Sequence, residues 1–91
     1  MSDVVNNNAQ HRFELVVDGH IAAAHCELDG NVITFVHTEV PPELGGRGVG
    51  STLVQGALDR VRASGKKVIA DCPFVKAWIG KHPEYREVLK T

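Results

Sequence analysis

The sequence predicts an α+β domain, an antiparallel β-meander followed by a β-α-β-α unit, and three observations predict it. The first third alternates apolar and polar residues in runs separated by Asp18-Gly19 and Asp29-Gly30-Asn31, which are turn signals. One segment, Val49 to Val61, has apolar residues at helical spacing. A short apolar run, Lys66 to Asp71, follows it, so a crossover helix joins that strand to an earlier one in a near-parallel, splayed pair.

Met1 to Gln10 is polar and aperiodic, and reads as a disordered tail before a single domain over residues 11–91. From Arg12, residues Phe13, Leu15 and Val17 share one strand face and Glu14, Val16 and Asp18 the other, until Asp18-Gly19 reverses the chain. His20 to Leu28 makes a second strand of small residues, and Asn31 to Val40 a third, rich in β-branched side chains. Pro41-Pro42 ends it, because neither residue can donate to a ladder. In the main helix Val49, Leu53, Val54, Ala57, Leu58 and Val61 form the apolar stripe, and Ser64-Gly65 stops it. Pro73 suits a first helical position, while Gly80 and Pro83 divide the C-terminus into Pro73 to Ile79 and Pro83 to Leu89, with Phe74, Trp78 and Ile79 facing the core.

Composition narrows the function classes. With 43% hydrophobic and 23% charged residues the chain has the balance of a folded domain. A net charge of -1 supplies no basic field for nucleic acid, which leaves a small molecule or a protein as partner. No apolar run approaches the roughly 20 residues needed to cross a bilayer. The first 15 residues lack the basic and apolar regions of a secretion signal, and the two cysteines, Cys26 and Cys72, form no disulfide framework, so a cytoplasmic protein is expected, as a monomer or weak homodimer. The histidines and cysteines have no zinc spacing: His20 and His25 fall on opposite faces of a strand, and no metal is expected.

The chemistry concentrates in Gly45-Gly46-Arg47-Gly48-Val49-Gly50, followed by Ser51. Glycines let consecutive backbone N–H groups turn toward one point, and the helix N-terminus just beyond adds unpaired donors and a partial positive charge. Such a loop suits a phosphate or pyrophosphate. A nucleoside-triphosphate loop needs Lys where this chain has Ser51. A dinucleotide fingerprint is nearly met by Gly46, Gly48 and Ser51, with Asp71 downstream for a ribose, although the opening hairpins and short chain do not fit that fold.

The loop also resembles the signature of the GNAT N-acetyltransferase superfamily, an Arg or Gln, two residues, Gly, one residue, then Gly or Ala, opening a helix after a central strand. Gly48 and Gly50 match, whereas Gly45 stands at the Arg or Gln position. With Cys72-Pro73-Phe74-Val75-Lys76-Ala77-Trp78 and Lys81-His82-Pro83-Glu84-Tyr85, the stretch from Val36 to Leu89 is similar to the small, single-domain GNAT-like acetyltransferases. The resemblance implies a minimal GNAT-like fold, acetyl-CoA as co-substrate and an amine acceptor. It implies that Thr38, Glu39 and Val40 line the pantetheine arm, that Gly45, Gly46, Arg47, Gly48, Val49, Gly50 and Ser51 hold the pyrophosphate, and that a backbone N–H near Val40 polarises the acetyl carbonyl. Longer relatives have extra N-terminal helices on the acceptor side, so the resemblance implies an acceptor site that is open or completed by another molecule.

Candidate catalytic residues follow. Cys72 stands at a strand end before Pro73, where it caps the next helix and the helix field favours a thiolate; the alternative is a small buried residue under Trp78. The resemblance favours an active-site thiol. His37 and Glu39 share a face with Ile33 and Phe35 by alternation, and either can accept a proton from an amine if that face meets the cleft; a strand end in solvent is the alternative. Tyr85, by resemblance, donates a proton to the leaving thiolate, or is an amphipathic surface residue. Two further readings stay open: an acetyl-CoA-binding sensor without efficient catalysis, which Gly45 favours, and a dinucleotide-binding fragment.

Overall fold

The computed structural model describes residues 4–46 and 48–90. Five strands, β1 (Val5–Asn7), β2 (Arg12–Val17), β3 (His20–Asp29), β4 (Val32–Glu39) and β5 (Lys67–Ala70), form one sheet in the order β1-β2-β3-β4-β5. Helix α1 (Val49–Ala63) crosses from β4 to β5, and α2 (Pro73–Lys81) follows β5. Neighbours from β1 to β4 pair antiparallel, and β4 pairs parallel with β5. The α+β meander with one parallel pair is as expected, and its opening hairpins are unlike the all-parallel start of a dinucleotide-binding sheet.

Local chemistry explains the elements. Asp18 and Gly19 both have positive φ, 50° and 79°, which fits a two-residue turn to the twist of β2 and β3. The predicted stripe of α1 is buried throughout and packs with Phe13, Leu15, Ala22 and Ala24 from the sheet; the small alanines let the helix lie close. Pro73 takes the first position of α2, and Pro83–Val88 winds as a 3-10 segment because Pro83 cannot continue the helix. Beyond it, Leu89 bridges Val68, and Lys90 N–H donates to the Val68 carbonyl at 2.8 Å, which covers part of the outer edge of β5.

Both helices lie on one sheet face, tied together where Trp78 Nε1 donates to Ser51 Oγ at 2.8 Å. The other face carries the exposed Val5, Val16, Ile21, Val36 and Ile69, and no described element covers it. No helix among the described residues is long and apolar enough to cross a membrane.

Three expectations are corrected. Residues 5–10 are not a disordered tail: β1 pairs with β2, a 3-10 turn over Asn8–Gln10 links them, and buried Val4 packs over Gly56 of α1 while Arg60 Nε donates to its carbonyl. Polar strands lack apolar alternation, so pairing with β2 decides this one. Phe74 is 45% exposed, while Trp78 and Ile79 are buried, because Phe74 turns toward the glycine loop. His37 and Glu39 do not share a face with Phe35: Cys26 pairs with Phe35 but His25 with His37, so Val36 is an extra residue that flips the alternation.

Candidate functional site

The parallel pair opens into a fork. Registered pairing stops at Phe35 and Ala70, and Cys72 N–H donates to the Phe35 carbonyl at 2.8 Å. Past that point β4 continues to Glu39 with no strand on its β5 side among the described residues, while the chain after Ala70 turns into α2. Cys72 is the residue before α2, 3% exposed, and its Sγ lies 3.3 Å from Thr38 Oγ1 across the fork; either atom can donate. It is thus both small and buried, and held against β4.

The glycine loop closes the fork from the side of α1. Gly46 and Gly48 have φ of 76° and 70°, and Gly48 precedes the helix without a side chain to cap it. The first-turn N–H groups at Val49, Gly50 and Ser51 therefore have no intrahelical acceptor and no capping side chain. A Cβ on Gly50 would come within 2.8 Å of Phe74 Cζ and 3.4 Å of Val40 Cγ2, so the strand end, the helix start and Phe74 meet there. Val40, Leu44, Gly45, Gly46, Gly48, Val49, Gly50, Ser51 and Phe74 line a cleft of about 350 Å³. Arg47 lies outside the described residues. A Cβ on Gly45 would sit 3.2 Å from the Pro42 carbonyl, so this loop accommodates a side chain there only if that carbonyl shifts.

A second cleft, about 530 Å³, opens on the bare sheet face; Arg12, Ile21, Ala23, His37, Glu39 and Pro41 are among its lining residues. Val40 lines both clefts, and Thr38, which lines this one, also meets Cys72. The end of β4 thus stands between the glycine-loop cleft and the open cleft of the bare face. That is the layout needed to bring two reactants together across one strand.

A profile of the GCN5-related N-acetyl-transferase family matches residues 12–88. The chain belongs to that family. A solution structure of a GCN5-like protein from Staphylococcus aureus, provisionally assigned as an N-acetyltransferase, is similar at a TM-score of 0.73 and 30% identity, covering 97% of this chain and 87% of the other. Among curated proteins no significant match is found.

Within this GCN5-related chain, the candidate residues gather unevenly. Thr38, Val40, Cys72 and the described glycine-loop residues converge at the fork, and His37 and Glu39 stand at the open cleft. Ser51 has its hydroxyl engaged by Trp78, which leaves its backbone N–H facing the loop's first turn. Tyr85 is not brought there. It is buried against Trp78, its hydroxyl donates to Asp59 Oδ1 at 2.7 Å, and Asp59 lies eleven residues along α1 from Gly48, about 16 Å of helix rise. Burial and then the Asp59 carboxylate push the Tyr85 phenol above its ordinary pKa.

The bare face beside the open cleft holds residues that one-strand reasoning missed. Glu14 is buried on this face, where Arg12 Nε at 2.5 Å and Asn7 Nδ2 at 3.1 Å hold its carboxyl below the usual range despite burial. His25 Nε2 sits 2.6 Å from Glu39 Oε1, and its ring stacks on His37 at 5.9 Å. Strand register creates that grouping, and residues 14 and 12 positions apart give no local signal for it. Cys26 is on the helix-side face, paired with Phe35, and burial pushes its thiol pKa up. Among the described residues no three His, Cys, Asp or Glu side chains converge as metal ligands would.

Proposed function

We propose that this chain transfers the acetyl group of acetyl-CoA to the amine of a protein or small-molecule acceptor. The observation that carries the reading is the fork between β4 and β5 beside an uncapped, glycine-rich helix start. The pyrophosphate of acetyl-CoA would be held by the first-turn N–H groups of α1 and the loop over residues 45–51, Arg47 included, as the family implies. The pantetheine arm would run along Thr38, Glu39 and Val40, and a backbone N–H near Val40 would polarise the carbonyl. The amine nitrogen attacks that carbonyl, the C–N bond forms, the C–S bond breaks, and CoA leaves as the thiolate. The amine proton goes to a group at the open cleft, with Glu39 or His37 as acceptor.

Cys72 supports a variant of this route. Its sulfur lies in the fork beside Thr38, so it either lines the acetyl site or accepts the acetyl group by thioester exchange before passing it to the amine. Intact mass after incubation with acetyl-CoA separates the two. A gain of one acetyl group that disappears in Cys72→Ala supports exchange; an unmodified chain under turnover restricts Cys72 to lining.

Binding is tested by thermal shift with acetyl-CoA, CoA, NAD and ATP. Stabilisation by both CoA compounds is expected, and stabilisation by NAD alone would overturn the reading. Gly45 favours a second reading, an acetyl-CoA sensor with little transfer, because the family's long side chain is missing at that position. Tight acetyl-CoA binding without acetylation of any amine in a panel would select it. A monomer or weak homodimer in the cytoplasm, where acetyl-CoA is available and both cysteines remain thiols, is the setting we infer.

A further inference from the structure

We propose that His25 is a positioning residue for the acceptor: its imidazole holds the Glu39 carboxylate over the open-face cleft, where that carboxylate receives the ammonium group of an alkyl amine. This rests on the acetyl-transfer reading of the site and extends it to the acceptor side.

The extra residue at Val36 is what makes the arrangement possible. Plain alternation would have turned His37 and Glu39 toward the helices with Phe35; after the bulge they stand on the bare face, His37 opposite His25 and Glu39 opposite Ala23. Ala23 is only 4% exposed although no helix lies above it, so longer neighbours wall it in and it forms the floor of the cleft. Glu14 flanks Ala23 on the β2 side as Glu39 does on the β4 side, which places two carboxylates across one small residue.

The two carboxylates are not equivalent. Glu14 is occupied by Arg12 and Asn7, and the Arg12 guanidinium balances its charge. Among the described residues Glu39 pairs with the His25 imidazole alone, at 2.6 Å, and its side chain is 60% exposed. The bond from His25 Nε2–H takes one lone pair of the Glu39 carboxylate and leaves the others for a second donor. An ammonium arriving at the cleft thus finds one charged acceptor already oriented. Ile21, Pro41 and Pro42 line the cleft as well and offer apolar contact to the carbon chain behind the cation.

Orientation is the contribution of His25. A free glutamate side chain loses rotamer freedom on binding a ligand. His25 is braced by its stacking on His37 and by backbone pairing on both sides, with Arg12 of β2 and His37 of β4, so it restricts Glu39 beforehand. The other charged or titratable groups on this face near the pair are Arg12, Glu14, His37 and, two residues along β3, Glu27; the helices lie on the opposite face.

The alkyl ammonium has two sources, a lysine side chain on a peptide or a free alkylamine, and both belong in the test. Steady-state acetylation of n-butylamine and of a lysine-containing peptide would be measured for wild type, His25→Ala and His25→Gln, with acetyl-CoA affinity by calorimetry. In His25→Ala the acceptor KM is expected to rise on the order of 3- to 10-fold, with kcat and acetyl-CoA affinity little changed. His25→Gln keeps an N–H donor and is expected to recover most of the loss. Equal losses in both variants, or a change confined to kcat, would overturn the proposal. An arm that needs no turnover follows the Glu39 and His25 NMR signals on adding n-butylammonium or n-butanol. A response to the cation and not to the alcohol supports the acceptor site, and no response to either overturns it whether or not acetyl transfer occurs. Acetyl-CoA binding with a cation response but no acetylation would defeat the transfer reading alone.

Discussion

Gly48 joins backbone geometry to binding at the smallest scale. Its φ of 70° is a conformation that any residue with a Cβ adopts at a cost, and it sits at the turn that aims the first N–H groups of α1 into the cleft. Gly48→Ala is expected to lose about 1–2 kcal/mol of stability and to weaken acetyl-CoA binding, measured by denaturant unfolding and calorimetry. Gly50 differs. A Cβ there meets the far end of the exposed Phe74 ring, which can swing aside, so Gly50→Ala should cost little stability while narrowing the cleft. Unchanged acetyl-CoA affinity in Gly50→Ala would show that this corner is not part of the binding path. Thr38 and Cys72 make the remaining local pair; Thr38→Val removes the sulfur's hydroxyl partner and is expected to slow acetylation by more than it weakens acetyl-CoA binding, read by steady-state kinetics and calorimetry.

At the scale of elements, the attachment of β1 to α1 gives the clearest coupling. Val4 fills the space above Gly56, where a Cβ would overlap its side chain, and Arg60 reaches the Val4 carbonyl from the next turn of the same helix. Gly56→Ala should destabilise the fold by about 1–3 kcal/mol through overpacking. Combining it with Val4→Ala should recover part of that loss, because the two residues share one space; urea unfolding of both single variants and the double variant reads the coupling. Strictly additive effects would mean that the two do not touch in solution. The bulge at Val36 acts on β4 in the same way, since one inserted residue reassigns every side chain after it and turns a core-facing run into one wall of the open cleft.

For the whole molecule, two buried groups set opposite pH limits. Glu14 is held below the ordinary carboxylate range by Arg12, so the folded chain binds fewer protons there than the unfolded one. Its contribution is complete above the ordinary glutamate pKa and fades as pH falls toward the folded value. Tyr85 is shifted up by burial, so its contribution is complete below the ordinary tyrosine pKa and is lost as pH rises through the folded value. Melting temperature against pH should therefore flatten on the acid side in Glu14→Gln and on the alkaline side in Tyr85→Phe. Sequence by itself determined the strand and helix order, the α1 stripe, the Asp18-Gly19 turn and the glycine-rich start of α1, because those depend on periodicity and on local backbone freedom. Only the tertiary structure decided that residues 5–7 form a strand, that Phe74 faces the glycine loop, that Tyr85 belongs to the α1 interface, and that His25 meets Glu39. Each of those depends on register or on packing between residues far apart in the chain, where a single extra residue in one strand is enough to change which side chains meet.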